Sequence, residues 1–409
     1  MKRHSGYQSP PPVEHIDLPE GNTKRRWIIV IALLVIAITA FGIGMHSMLN
    51  RQRGWTEIAA LSGAPGCAPE FQLQYELPEK DGRTVYRTIS ALYTTACTRA
   101  AQVYDAAASY EGVGNVCTIN AHPNETVTVE PELYAALELI QQAKNRVPYL
   151  APLYETYTSL FFCAEDIETA DFDPLRNPEL EASFTALAAF ANDPEQIDLE
   201  LLGNNRVCLH VSETYLRYGA ENGVGVWFDL GWLKNAFITD DLASTLRAQG
   251  FTDGYLQSYD GFGCNLSARG EHFSLQVFDT QPDGIALVSE MDYARPLAFV
   301  SLHSHSINPG DADWYYEFES GEVRSIYLKP ADGMPGTAID DLLVWSDTLS
   351  CGALALSACP VYLADSFAPD ALADADFFYA YCTDQVLHCS DPDVVFPALL
   401  DGYTLARDA

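Results

Sequence analysis

The sequence predicts an α+β domain that follows a single apolar span near the N-terminus. Strand-like and helix-like segments occur in non-alternating order, with no internal repeat. A chain of 409 residues with 48% hydrophobic content can bury a large core. One run, Trp27 to Met45, is uncharged and strongly apolar, and stands apart from everything after it.

Residues 1–23 are polar and carry Pro10, Pro11 and Pro12, the composition of a disordered tail. Trp27 to Met45 is 19 residues long, which as a helix spans about 28 Å, close to the hydrocarbon thickness of a bilayer. Lys24, Arg25 and Arg26 stand directly before it, with Lys2 and Arg3 further out, and this places the N-terminus in the cytoplasm. Arg51 and Arg53 weaken that bias without reversing it. A cleaved signal peptide fits less well, because the run exceeds a usual signal core, follows a long tail and adjoins no Ala-x-Ala site. The expected organisation is therefore a cytoplasmic tail (1–23), a transmembrane anchor (24–49), a linker (50–68) and an extracytoplasmic domain (69–409) on a single-pass cell-membrane protein.

Within that domain, Phe71 to Asp105 reads as a strand and a long helix, and Thr126 to Gln142 as a strand and a second helix. Asp171 to Asp193 reads as a helical insert bounded by Pro174, Pro178 and Pro194. Arg206 to Val211 alternates like a strand, with Gly203-Asn204-Asn205 as the hairpin turn before it. Phe273 to Phe278 and Arg324 to Leu328 read as further strands, and Trp314-Tyr315-Tyr316 as core or a strand edge.

Charge narrows the partners. The net charge is −33, and residues 1–53 hold seven of the 23 Lys/Arg and three of the 56 acids, leaving 16 bases against 53 acids beyond the span. Nucleic acid is excluded as a partner, since neutralising phosphates needs basic patches. All ten cysteines lie beyond the span, which permits disulfides; buried free thiols are an equal alternative. The chain lacks a Walker loop, G-x-G-x-x-G, G-x-S-x-G and H-E-x-x-H. His303 and His305 would share one face of a strand and could jointly hold a transition metal. Two histidines without an evident carboxylate or cysteine partner more often form a polar strand face. The pairs Asp240-Asp241 and Asp340-Asp341 read as solvated turns and helix starts.

The most informative stretch is Asp229-Leu230-Gly231, then Phe237, Asp240 and Gly250. It reads as a buried strand (Val224 to Phe228) turning on Gly231 into a helix that ends at Gly250, with Asp229 placed to cap the helix start. Such a start offers unpaired donors and positive dipole to an anion. Leu233, Ala236, Phe237, Ala243 and Leu246 form an apolar stripe that also carries Asp240, and a carboxylate there needs partners or a ligand. A helix carboxylate bonded to neighbouring backbone is as good a reading as a ligand.

The pattern D-L-G-x(5)-F-x-x-D resembles the D-L-G-G-I-A-K-G-Y-A-x-D run of FAD:protein FMN transferases, the ApbE-like flavin transferases. Other stretches are similar in order and spacing: Ile119-Asn120 followed by Val127 to Leu133, Pro330 to Pro335 at the end of the H-I-I-D-P-x-T-G-x-P loop, and Cys351 to Leu356 for A-D-A-L-A-T. The resemblance covers about residues 70 to 400. It implies the ApbE-like fold, FAD as cofactor, and magnesium-dependent transfer of FMN to a Thr or Ser of a membrane-associated redox protein. It also implies cofactor binding by Asp229, Gly231, Lys234, Asp240, Pro330 and Gly333.

The departures bear on chemistry. Lys234-Asn235-Ala236 shifts the lysine of A-K-G by one place, Leu302-His303-Ser304 replaces the T-S-G turn, and Tyr259-Asp260 replaces a Gly-Gly turn. Ile326 and Lys329 stand for the loop histidine and aspartate, and Gly352 and Leu356 for the Asp and Thr that supply oxygen to magnesium. Neither of the last two has a side-chain oxygen for a hard cation, so no metal residue is assigned and transfer is expected to be weak or lost. A non-catalytic flavin-binding or scaffolding envelope protein is the alternative, and an envelope interaction protein without flavin is the third reading.

Overall fold

The computed structural model describes residues 53–408 apart from 64, 267–271, 282–283, 309 and 374. The expected tail and membrane span lie outside the described residues. Among the described residues no helix is long and apolar enough to cross a membrane.

Nine strands form one sheet whose spatial order follows the chain: β1 (Gly54–Glu57), β2 (Phe71–Leu77), β3 (Gly254–Ser258), β4 (Phe262–Asn265), β5 (Ala298–His303), β6 (Asp341–Ser346), β7 (Phe378–Thr383), β8 (Val386–Cys389) and β9 (Thr404–Arg407). Neighbours are antiparallel except β8 and β9, which run parallel. This α+β architecture agrees with the expected class. The sheet starts inside the stretch expected to be linker, since β1 pairs with β2 from Gly54 onward.

The central strands are covered on both faces, and β6 buries all six of its residues. Side chains alternate across it: Leu342 and Val344 enter the larger core, while Leu343 and Trp345 enter a second one. The second core is closed by the hairpin Phe273–Gln281/Gly284–Tyr293, which contributes Leu275, Val277, Val288 and Met291. Five helices matter to the larger core: α1 (Gly82–Val103), α2 (Pro131–Ala143), α3 (Pro178–Asn192), α4 (Lys234–Ala248) and α5 (Cys351–Tyr362). In α1, Ile89, Tyr93, Cys97, Ala100 and Val103 follow the helical repeat and are buried. Helix α5 is mostly apolar and correspondingly buried, with only Ser357 and Pro360 exposed.

Several expected elements form as read. Of the helical insert expected over Asp171 to Asp193, Pro178–Asn192 is helix α3, which starts with the Asn177 side chain accepting from the amides of Glu179 and Leu180. Asn204 and Asn205 adopt positive φ in the turn before Arg206–Val211, which pairs with Ile197–Leu201 and Thr126–Thr128. Three expectations are corrected. Val224 to Phe228 is not a strand: its end is held by the Asn120 side chain, which accepts from the amides of Trp227 and Phe228 at 2.9 Å each and donates to the Phe228 carbonyl at 2.7 Å. Arg324 to Leu328 is strand only at its start, in Val323–Ser325. Asp341 is not solvated; it lies 6% exposed in β6. The ten cysteines carry free thiols.

Candidate functional site

The segment held by Asn120 delivers Asp229 to the turn, and the Asp229 amide bonds the Pro148 carbonyl at 2.9 Å. Gly231 turns the chain with φ +54°, a conformation other residues rarely adopt, and open space faces its α-carbon. Gly231–Leu233 forms a single 3-10 turn before α4 begins at Lys234. That extra turn is why Asp229 does not cap the helix as expected: Leu230 and Leu233 occupy the cap positions, without side-chain cap bonds. Burial raises the Asp229 carboxyl above its usual range, opposed by the Gly231 amide and the Lys234 ammonium.

Asp229, Gly231 and Lys234 line one cavity of ≈ 370 Å³, together with Glu70, Tyr104 and Asp105. Its volume is toward the small end of ligand pockets, about 300–1,000 Å³. Its charge is the more decisive property. Lys234 is 3.5 Å from Glu70, and Asp105 and Asp229 add two further carboxylates against that single ammonium. A diphosphate would meet net negative charge there. Asn235, at the family's lysine position, donates to Glu70 and Asp260 at 3.1 and 2.9 Å. Burial pushes the Asp260 carboxyl up to about 7.

The other expected site residues lie elsewhere. Asp240 holds α5: its two oxygens accept from the amides of Cys351 and Gly352, each at 2.8 Å, while the Ser350 hydroxyl accepts from Ala353 at 3.3 Å. Three N-terminal amides of α5 are thereby satisfied. Asp241 is half-buried rather than freely solvated; it accepts from the Tyr104 hydroxyl at 2.8 Å, and burial pushes its carboxyl up to about 7. Pro330 and Gly333 pack on the helical insert. The Pro330 carbonyl accepts from Asn192, and a β-carbon at Gly333, whose φ is +76°, would stand 2.6 Å from Leu153. Trp232, at the place of the second Gly of D-L-G-G, is buried edge-on against Tyr327 at 5.0 Å and stacked on Phe262 at 6.3 Å.

The positions aligned with magnesium oxygens do not fit a cation. Leu356 is buried in the core, and a β-carbon at Gly352 would stand 2.7 and 2.8 Å from the Phe237 ring and 3.2 Å from Asp240. Both Asp240 oxygens are already committed to amides. Sequence reasoning missed the latch formed by Asn120, although the residue stood in a motif, because nothing local shows that its partners lie about a hundred positions away.

Taken together, the sheet, its helical cover and the order of these turns are the fold of the ApbE flavin transferases. The crystal structure of the ApbE protein from Thermotoga maritima matches with a TM-score of 0.51 at 14% identity, over 80% of this chain and 94% of that one. The flavin transferase ApbE from Vibrio cholerae matches with a TM-score of 0.50 at 13% identity, over 77% and 90%. No protein-family model matches the chain, and no curated protein matches its sequence. At these identities the likeness establishes the fold; activity has to be argued from the site.

Proposed function

We propose that this chain is a membrane-anchored envelope protein that keeps the flavin transferase fold without magnesium-dependent FMN transfer. The observation that carries this reading is Gly352: the place of a metal carboxylate is packed against Phe237, and the neighbouring Asp240 is spent on helix amides. A transferase needs charge stabilisation at the diphosphate, and no residue at these positions supplies it. The test is incubation of the full chain with FAD, magnesium and an acceptor domain bearing a Thr/Ser flavinylation motif, followed by intact mass. No FMN-sized gain is expected; a gain at the rate of an intact family member would overturn the reading.

Flavin binding without turnover is the second reading, favoured by the open cavity at Gly231. Quenching of flavin fluorescence in the same samples separates it from a scaffold that ignores flavin. A membrane-associated redox protein is the partner expected as flavin acceptor if transfer is detected. Anchoring rests on the 19-residue apolar span from Trp27 and the bases before it. Protease added to intact cells is expected to remove the large domain, and full protection would reject that orientation.

A further inference from the structure

The geometry points to a divalent transition-metal site formed by His303, His305 and Asp341, on a different part of the sheet from the Gly231 cavity. The strand register brings the first and last of these together, because His303 on β5 stands directly opposite Asp341 on β6. His305 follows two residues on, just past the end of β5. The three side chains are 5%, 6% and 6% exposed, and one ligand atom from each lies within 4.8 Å of the others. Asp341 Oδ1 is 2.7 Å from His303 Nδ1 and 3.6 Å from His305 Nε2. Zinc–nitrogen bonds of about 2.0–2.1 Å put tetrahedral ligand atoms about 3.3 Å apart, between those two separations.

Two further observations separate this cluster from an ordinary polar strand face. His305 Nε2 and Asp341 Oδ2 are buried and find no hydrogen-bond partner among the described residues, an arrangement that is costly unless something else engages them. Both histidines also have their other nitrogen held by a hydroxyl: His305 Nδ1 is 3.1 Å from Thr280 Oγ1, and His303 Nε2 is 2.9 Å from Ser301 Oγ. Such outer partners orient metal-binding imidazoles and set their tautomers. In the metal-free protein the His303 Nδ1 proton is donated to Asp341. A cation replaces that proton, and the Ser301 oxygen then accepts from Nε2–H, which a hydroxyl can do because it both donates and accepts.

Two imidazoles and one carboxylate are a donor set for zinc and its first-row neighbours, with coordination positions left over. Of the three residues, His305 also lines a cleft of ≈ 590 Å³, together with Thr280, Ser306 and Tyr315. Asp340, bonded to Ser304 at 2.8 Å, adds negative charge beside the site. The ligand class is thus a borderline divalent cation carrying an exchangeable water or small anion.

The test is a titration of the full chain, stripped with chelator, using cobalt(II) alone and then zinc(II) alone. One equivalent of cobalt is expected to give visible d–d absorption that zinc abolishes. His305→Gln should lose both signals, and His122→Gln, an exposed histidine elsewhere, should keep them. Thr280→Val touches only the outer partner and should weaken zinc binding by roughly 10–100-fold with an unchanged thermal melt. Absence of cobalt absorption and of zinc retention by the folded chain would overturn the site. So would binding that His305→Gln and Thr280→Val leave unchanged.

Discussion

Placing a carboxylate at position 352 is expected to destabilise the protein by about 3 kcal/mol or more, and to install no metal. A β-carbon on residue 352 would lie 2.7 Å from the Phe237 ring, and both Gly352 and Phe237 are buried. Overpacking of this kind typically costs about 1–3 kcal/mol. The new carboxylate would add a second charge beside Asp240, within a shell whose donors are already used, and an unpaired buried charge is penalised further. Gly352→Asp should therefore lower the urea midpoint sharply and leave magnesium affinity undetectable. Phe237→Ala in the same chain should recover part of the loss, because it removes the ring that the side chain strikes; a double-mutant cycle measures this coupling. A stable Gly352→Asp protein that gains magnesium-dependent FMN transfer would show that only ligand identity, and not packing, separates this chain from an active transferase.

The same contact explains which features could be read from sequence. Local signals sufficed where the partner was near. Phe71 to Asp105 gives the strand and long helix expected of it, Pro178 is a helix boundary, and Gly203-Asn204-Asn205 forms the turn before the alternating Arg206–Val211. They failed where a polar group is satisfied from far along the chain. Val224 to Phe228 has the composition of a buried strand, yet its end is held by the side chain of Asn120. Asp341 sits in an acidic pair that reads as a solvated turn, and only strand register discloses that it faces His303. That pairing supplies the carboxylate whose absence made a polar strand face the ordinary reading of His303 and His305. The candidate site was legible in part for the same reason. Asp229, Gly231 and Lys234 are neighbours in sequence and do share a cavity, whereas Asp240, Pro330 and Gly333 depend on tertiary contacts that redirect them.

Asp240 gives the sharpest distinction between a structural and a ligand role. As a clamp, its carboxylate joins α4 to the start of α5 through two amides at 2.8 Å. Hydrogen bonds to a charged group are worth about 1.5–3 kcal/mol each, and removal of the acceptor leaves buried donors unpaired. Asp240→Ala is therefore expected to cost about 3–5 kcal/mol in chemical denaturation. Amide exchange at Cys351 and Gly352 should accelerate more than at residues later in α5. Burial raises the Asp240 carboxyl above its usual range, while the Gly352 and Cys351 amides and the Ser350 hydroxyl oppose that rise. Asp240→Asn retains one acceptor oxygen but turns an amide donor toward a backbone donor, so its loss should be intermediate. If Asp240 instead served a flavin or a cation, both variants would keep the stability of the parent and lose ligand affinity. A loss below about 1 kcal/mol, the size of a single neutral hydrogen bond, would reject the clamp. A large loss accompanied by faster exchange at the first turn of α5 would assign this carboxylate to architecture. The conspicuous aspartate of the motif then serves to hold the helix that carries Gly352, the residue packed against Phe237.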